Sequence, residues 1–365
     1  MEGLRGARIL VFAVTITLIA IGVVMIYSSS AVYAYDKFGD NMYFIRRHLL
    51  SLAVGVTLAM VFMRVDLDRL RRHSRKLLAL TLLLLVLVLI PGIGVAVGGA
   101  RRWLRIGAMS LQPVEAAKPF FLLYLADFLD RKQLESDSLL KVYIPALLMI
   151  CAISALVVLQ PDLGSSIEIA VIGIIVLFVY GARLKHIFFT LAAGLPFLGM
   201  MIIGSTYRFA RIMAYLDPWK DPRGTGFQMI QSFTALGSGG VLGVGLGNSK
   251  QKLFYLPESH TDFIFSILGE ELGFMGAGAI VILFIILLWN GMRITLKKAS
   301  EFSRLLAFSI TALIGLEAII NIGVSTGALP TKGLPLPFLS YGGSSLVVHM
   351  ILIGMLLNLG KDDEP

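Results

Sequence analysis

The chain has 365 residues, of which 57% are hydrophobic and 15% charged, and its mean hydropathy is +0.83. Soluble domains are roughly 45–50% apolar, so these segments must face lipid as well as each other, and a soluble fold is excluded. The formal net charge of +9 does not point to nucleic acid, because no stacking-aromatic array or recognition module accompanies it.

Apolar runs near the roughly 20 residues that span a bilayer lie at 9–27, 45–63, 77–93, 113–129, 142–160, 165–181, 187–204, 263–290, 305–326 and 340–359. They predict an all-α polytopic membrane protein of about ten transmembrane helices. The runs form one integral membrane domain over residues 1–365, with a long outer loop, 205–261, between helices 7 and 8. Beyond the first run, Val32-Tyr33-Ala34 resembles a signal-peptide cleavage site. The apolar core there exceeds the roughly 7–15 residues of a signal sequence, so the run is read as an uncleaved helix.

With both termini cytoplasmic, the Arg64 to Lys76 cluster, Arg131, Lys132, Arg183, Lys185, Arg293, Lys297 and Lys298 fall inside, as the basic-residue rule requires. The inside positions hold little more than half of the 32 lysines and arginines, so the outer face is basic too. Its cations cluster at Arg101-Arg102-Trp103-Leu104-Arg105, at Lys118, at Arg208 with Arg211, at Lys250 with Lys252, and at Lys332. An anionic ligand at the outer membrane surface would explain them; contact with lipid phosphates is the alternative.

Taken in chain order, the polar motifs carry different signals. Gln112 to Lys118 reads as a helix start, with proline in the first turn and Glu115 and Lys118 three apart on one face, able to pair with each other or to offer Lys118 to a substrate phosphate. Cys151 is the single cysteine, which excludes an intramolecular disulfide and a cysteine-based metal cluster. Asp162, in Gln160-Pro161-Asp162-Leu163-Gly164, can cap the helix that follows or form part of a site. Gln228 to Leu236 is expected to lie amphipathically on the bilayer surface. The glycine run from Ala235 to Asn248 lacks the strand and helix of a dinucleotide fingerprint, leaving a flexible loop or a close backbone approach to a ligand. Lys250 to Asp262 sets lysines, His260 and a carboxylate against the start of a long apolar run, where ionisable groups are costly and usually functional. In Pro330 to Ser345, three prolines stiffen a loop feeding a hydroxyl-rich helix start, whose amides with Ser344, Ser345 and Lys332 suit an oxyanion, or whose small residues suit close packing.

Several of these strings together resemble a known family. Gly99-Ala100-Arg101-Arg102-Trp103-Leu104, Gln112 to Lys118, Gln160 to Gly164, Pro257 to Phe265 and Pro330 to Ser345 are similar to the SEDS (shape, elongation, division and sporulation) glycosyltransferases, over nearly the whole chain. Gly99 to Trp103, Asn248 to Pro257 and Pro330 to Gly333 look more like the division member FtsW than the elongation member RodA.

The resemblance implies polymerisation of lipid II, a disaccharide-peptide on undecaprenyl pyrophosphate, into glycan strands at the outer face of the cytoplasmic membrane. Asp262 matches the family's functional aspartate and is the expected base; His260 is a weaker candidate and otherwise a loop hydrogen-bond partner. The expected substrate-binding set is Arg101, Arg102, Glu115, Lys118, Lys250, Lys252, His260, Lys332, Ser344 and Ser345. No metal-ligand set is identified, and a divalent cation is the one cofactor left open. A class B penicillin-binding protein, supplying the transpeptidase, and other divisome proteins are the implied partners. A lipid II flippase and a scaffold for a partner synthase remain as competing readings, although no internal repeat supports a transporter.

Overall fold

The computed structural model describes residues 2–97, 99–106, 109–135 and 138–361. Each of the ten apolar runs coincides with a helix: α1 (Glu2–Phe38), α2 (Tyr43–Phe62), α4 (Ser74–Leu87), α5 (Pro113–Asp130), α6 (Ile144–Val158), α7 (Leu163–Tyr180), α8 (Leu184–Ile203), α11 (Ile264–Leu296), α12 (Glu301–Ser325) and α13 (Gly343–Leu359). Three shorter helices connect them: α3 (Leu67–Arg72), α9 (Thr206–Leu216) and α10 (Phe227–Gly239). Among the described residues seven helices are long and apolar enough to cross a membrane. The runs that fall short are α4, with 14 residues, α13, with 17, and α5, which carries Glu115, Lys118, Asp127 and Asp130.

Burial separates the interior helices from the lipid-facing ones. In the most apolar stretch of α12 67% of residues are buried, against 6% in α8. α12 packs on α5, α7, α11 and α13, while α2 lies along α13 and α1 runs beside α11. At one end of the bundle Arg71 pairs with Asp127 at 3.0 Å and with Asp130, Arg131 pairs with Asp127 at 2.6 Å, and Asp130 accepts from the Phe302 amide, which ties α3, α5 and α12 together.

Helix is not the whole fold. The strands β1 (Gly94–Val97), β2 (Ala100–Ile106) and β3 (Met109–Leu111) form an antiparallel sheet, with Val97 opposite Ala100 and Arg105 opposite Ser110. This small sheet is a local exception in a fold that is otherwise helical, as expected. α10 also differs from the expected surface helix: Met229, Ile230, Ser232 and Ala235 are buried, and the Ser232 hydroxyl meets Ser266 Oγ at 2.6 Å and donates to the Ser325 carbonyl at 2.7 Å. The amphipathic role falls to α9, which docks through Tyr215, whose hydroxyl donates to the Ala328 carbonyl at 3.1 Å.

The glycine run has a structural task. α11 is broken at Gly273, where φ is 70° and ψ is −171°, a conformation that favours glycine. The broken ladder is repaired by the glycine loop: Val244 and Gly245 amides donate to the Glu270 and Glu271 carbonyls, and Phe274 and Met275 amides donate to the Gly240 and Val241 carbonyls, all at 2.8–3.1 Å.

The proline-rich loop, residues 330–342, runs into the bundle, with Leu334, Leu336, Phe338 and Leu339 buried. α1 admits it because a Cβ on Gly22 would lie 2.4 Å from the Phe338 carbonyl oxygen. Gly22→Ala is therefore expected to destabilise the protein by about 1–3 kcal/mol. Gly6→Ala, on the same helix with nothing within 4 Å, is expected to stabilise it by about 0.5–1 kcal/mol. Thermal melting of the purified variants in detergent checks the pair, and identical melting temperatures would rule out the close approach.

Candidate active site

Strand β2, the start of α5, the 257–263 turns, the proline-rich loop and the start of α13 converge on one cavity of about 470 Å³. Each wall follows from local sequence. The hairpin brings Arg102, Trp103 and Arg105 over the cavity, and Pro113 in the first turn of α5 sets Glu115 at its edge. Asp162 caps α7, accepting from the Ser165 amide and hydroxyl, both at 3.1 Å, and also lines the cavity. Gly342, Gly343, Ser344 and Ser345 begin α13 at the wall, and the N-cap Gly342 offers no side chain to its first amides.

Asp262 sits at the wall just before α11, half-buried. A Cβ on Gly333 would lie 2.7 Å from its Oδ2, so only a glycine there leaves the carboxyl its place. Burial, reinforced by the neighbouring Glu258 carboxylate and opposed by Arg211, pushes the Asp262 carboxyl up to about 7. Among the described residues no side chain or amide bonds its carboxyl oxygens, which leaves them open to a ligand.

Not all of the expected residues reach the cavity. Arg102, Glu115, Ser344 and Ser345 do. Arg102 is engaged, donating to the Gln160 carbonyl at 3.1 Å and to the Pro161 carbonyl, with Asp162 at 3.8 Å. The Ser344 hydroxyl is a strut, donating to the Ser110 carbonyl and accepting from the Gln112 amide, both at 3.0 Å. Arg101 and Lys250 are exposed and do not line the cavity. Lys252 is buried elsewhere, its ammonium 2.8 Å from Glu271 and 3.1 Å from Ser28 Oγ. His260 packs among Tyr33, Phe44 and Tyr341, with ring centroids 4.6–5.8 Å apart, and burial pushes its imidazole below the ordinary range.

Lys118 turns inward, away from the cavity. Its ammonium lies 2.9 Å from Glu115, 3.0 Å from Glu168 and 2.6 Å from Glu317, and Glu317 in turn bonds His349. Three carboxylates occupy it, which corrects the expected phosphate contact. The Lys332 ammonium is buried with no hydrogen-bond partner among the described residues, close enough to Glu168 and Asp162 to feel both. The residue itself does not line the cavity, although the adjacent Gly333 does.

Sequence reasoning missed Arg47, and it placed Arg105 in the outer cation cluster without counting it in the expected binding set. Both line the cavity, and neither makes an ion pair among the described residues; Arg47 lies over the Tyr43 ring at 4.5 Å. The signal was the Arg46-Arg47 pair at the start of the second apolar run, on the same side as the Arg101 to Arg105 string. Chemically the cavity offers a carboxyl that titrates near neutrality, two uncommitted guanidiniums and the amide end of a 17-residue helix, a set suited to deprotonating one group while holding an anion.

Known proteins are similar to this chain along nearly its whole length. A family model described as cell cycle protein, covering FtsW, RodA and SpoVE, matches residues 8–364. The probable peptidoglycan glycosyltransferase FtsW of Geobacter metallireducens is 44% identical over 96% of this chain and 93% of its own length. Stage V sporulation protein E of Bacillus subtilis is 44% identical over 97% and 96%. Among solved structures, a chain of a peptidoglycan synthase complex that coordinates polymerization and crosslinking superposes with a TM-score of 0.79 at 30% identity, covering 96% of both chains. The rod shape determining protein RodA of Thermus thermophilus gives 0.71 at 27% identity, over 96% of this chain and 95% of its own.

Two expectations follow from the site. A reaction that needs Asp262 as carboxylate loses rate as pH falls through about 7, roughly tenfold per unit below it, because the protonated form cannot accept a proton. Glu258→Gln is expected to lower that midpoint and Arg211→Gln to raise it, since each removes a charge acting on Asp262. A pH profile of kcat/KM checks both directions, and a flat profile between pH 5 and 8 contradicts them. Lys118→Met, which strands three carboxylates, is expected to cost about 3–5 kcal/mol of stability, seen as a large drop in melting temperature; a variant that melts like the wild type would return Lys118 to the set of ligand contacts.

Proposed function

Since the chain belongs to the FtsW, RodA and SpoVE family of cell cycle proteins and is a peptidoglycan glycosyltransferase, we propose that it polymerises lipid II at the outer face of the cytoplasmic membrane, for septal wall synthesis. The observation that carries this reading is the placement of Asp262 and the unpaired Arg47 and Arg105 around one cavity. Asp262 is the general base. It takes the proton from the acceptor hydroxyl as that oxygen bonds the anomeric carbon of the donor sugar, and the bond from that carbon to the pyrophosphate oxygen breaks.

The leaving group departs with the electron pair as undecaprenyl pyrophosphate. Arg47, Arg105 and the first amides of α13 stabilise the charge that develops on it. Among the described residues no group of three histidine, cysteine or carboxylate side chains is placed to hold a metal ion, and no step here runs through one. The partner is a crosslinking subunit, read as a class B penicillin-binding protein with other divisome proteins around it; the complex to which one structural relative belongs coordinates polymerization with crosslinking.

Purified protein, with its partner and lipid II in detergent, tests the reading, because a flippase has no two sides to move between and makes no glycan. Asp262→Asn is expected to lower the polymerisation rate about 10²–10⁴-fold with an unchanged melting temperature. Arg47→Gln and Arg105→Gln are expected to lower kcat/KM about 10–100-fold, the worth of a charged hydrogen bond, while Lys250→Gln leaves it unchanged. A wild-type rate for Asp262→Asn removes Asp262 as the base, and equal losses at Lys250 and Arg105 remove the cavity as the anion site.

A further inference from the structure

The Asp262 carboxyl has no side-chain hydrogen bond among the described residues, so its direction is set by the backbone that carries it. That backbone is neither helix nor strand: residues 258–263 are turns, and Glu258 has a φ of 55°. Three successive carbonyls of this segment are nonetheless each held from outside it. His260 O accepts from the Tyr341 amide at 2.9 Å, Thr261 O accepts from Ser340 Oγ at 2.6 Å, and Asp262 O accepts from Asn321 Nδ2 at 2.9 Å.

Two side chains make this clamp, Asn321 of α12, which is also bonded to the proline-rich loop, and Ser340 of the loop itself. Asn321, on α12 and 1% exposed, gives its second amide hydrogen to the Leu334 carbonyl at 2.7 Å. Ser340 is 4% exposed, and its hydroxyl oxygen accepts from the Leu336 amide at 2.8 Å. The Asn321 amide nitrogen therefore spends both of its hydrogens, one on the segment that carries Asp262 and one on the loop that carries Gly333, the residue against which the carboxyl rests.

We propose that Asn321 and Ser340 are positioning residues of the glycosyl transfer: they lock the 260–262 backbone to the proline-rich loop and so fix the Asp262 carboxylate at the cavity wall. The proposal rests on the reading of Asp262 as base. A reacting group displaced by about 1 Å can cost on the order of 10²-fold in rate, and here no hydrogen bond of the carboxyl itself would correct such a shift.

The test uses the full chain with its partner and lipid II. Ser340→Ala and Asn321→Ala are each expected to lower kcat about 10–100-fold with KM moving less than about twofold, and Ser340→Thr, which keeps the hydroxyl, restores most of the rate. In an Asp262→Asn background neither alanine change is expected to lower the residual rate further, because both act through that carboxylate. Full additivity, or a loss confined to KM, overturns the proposal.

Amide exchange separates failure of the clamp from failure of Asp262 as base. The Thr261 and Phe263 amides both donate to the Glu258 carbonyl at 3.2 Å, and their exchange is expected to quicken in both alanine variants. Unchanged exchange overturns the clamp whatever Asp262→Asn does, while a wild-type rate for Asp262→Asn removes the base reading and with it the proposed role. If Asn321→Ala does not fold, the Ser340 variants decide.

Discussion

One buried ammonium holds the interior together. Lys118 of α5 sits against Glu115 of its own helix, Glu168 of α7 and Glu317 of α12, and Glu317 reaches His349 of α13. In an apolar bundle a lone carboxylate would be prohibitive, and the Lys118 ammonium, with His349 beside Glu317, offsets part of that cost only while the four helices keep their distances. Any sliding of α7 or α12 would leave a charge without its counterpart. Its edges also reach the site, because Glu115 and Ser345, the latter beside His349, line the cavity.

Fixed helices make it possible to carry irregular backbone inside the bundle. Non-helical chain there is tolerable where it is covered by protein and its polar groups are satisfied. The structure supplies partners at each break. Glu270 accepts from the Ser249 hydroxyl and from the Lys250 and Gln251 amides, the latter two at 3.0 and 3.3 Å, while its carbonyl serves the glycine loop. Asn358 gives both amide hydrogens to the Phe62 and Val65 carbonyls at the end of α2, at 2.9 and 2.6 Å. The same device, a buried amide bridging two carbonyls, recurs at Asn321, where the bridged segments are those of the site.

Hydropathy makes the helices legible, since a run of about 20 apolar residues has one good use in lipid. The site is legible wherever a motif gathers several polar residues in one stretch, as at 257–262 and 330–345. What the sequence does not convey is which way a charged side chain turns. Lys118 lies near the start of its helix, on the basic side, but its shortest contact, with Glu317, is to a residue 199 positions away, and no local pattern announces that. Lys252 escapes for the same reason, its partner Glu271 lying beyond the turn segment. Glu270 and Glu271 are legible as structural, because a helical rise of about 1.5 Å per residue carries them well past Asp262. The sheet escapes because strands of three to seven residues between glycines look like loop when helices dominate the chain.

The charges that act on Asp262 come from Glu258 and Arg211, not from the arginines that share its cavity. The separation matters for chemistry. In the proposed transfer, a guanidinium beside the carboxylate would hold its pKa down and weaken it as a base, whereas an anion site without cations would leave a departing pyrophosphate unstabilised. Placing Arg47 and Arg105 on α2 and β2, and Asp262 in turns clamped to α12 and the proline-rich loop, lets one cavity meet both demands. On the proposed role of Asp262 as base, the burial that raises its carboxyl toward 7 is useful, because a base whose pKa is near the working pH is the one that both exists as carboxylate and accepts a proton readily.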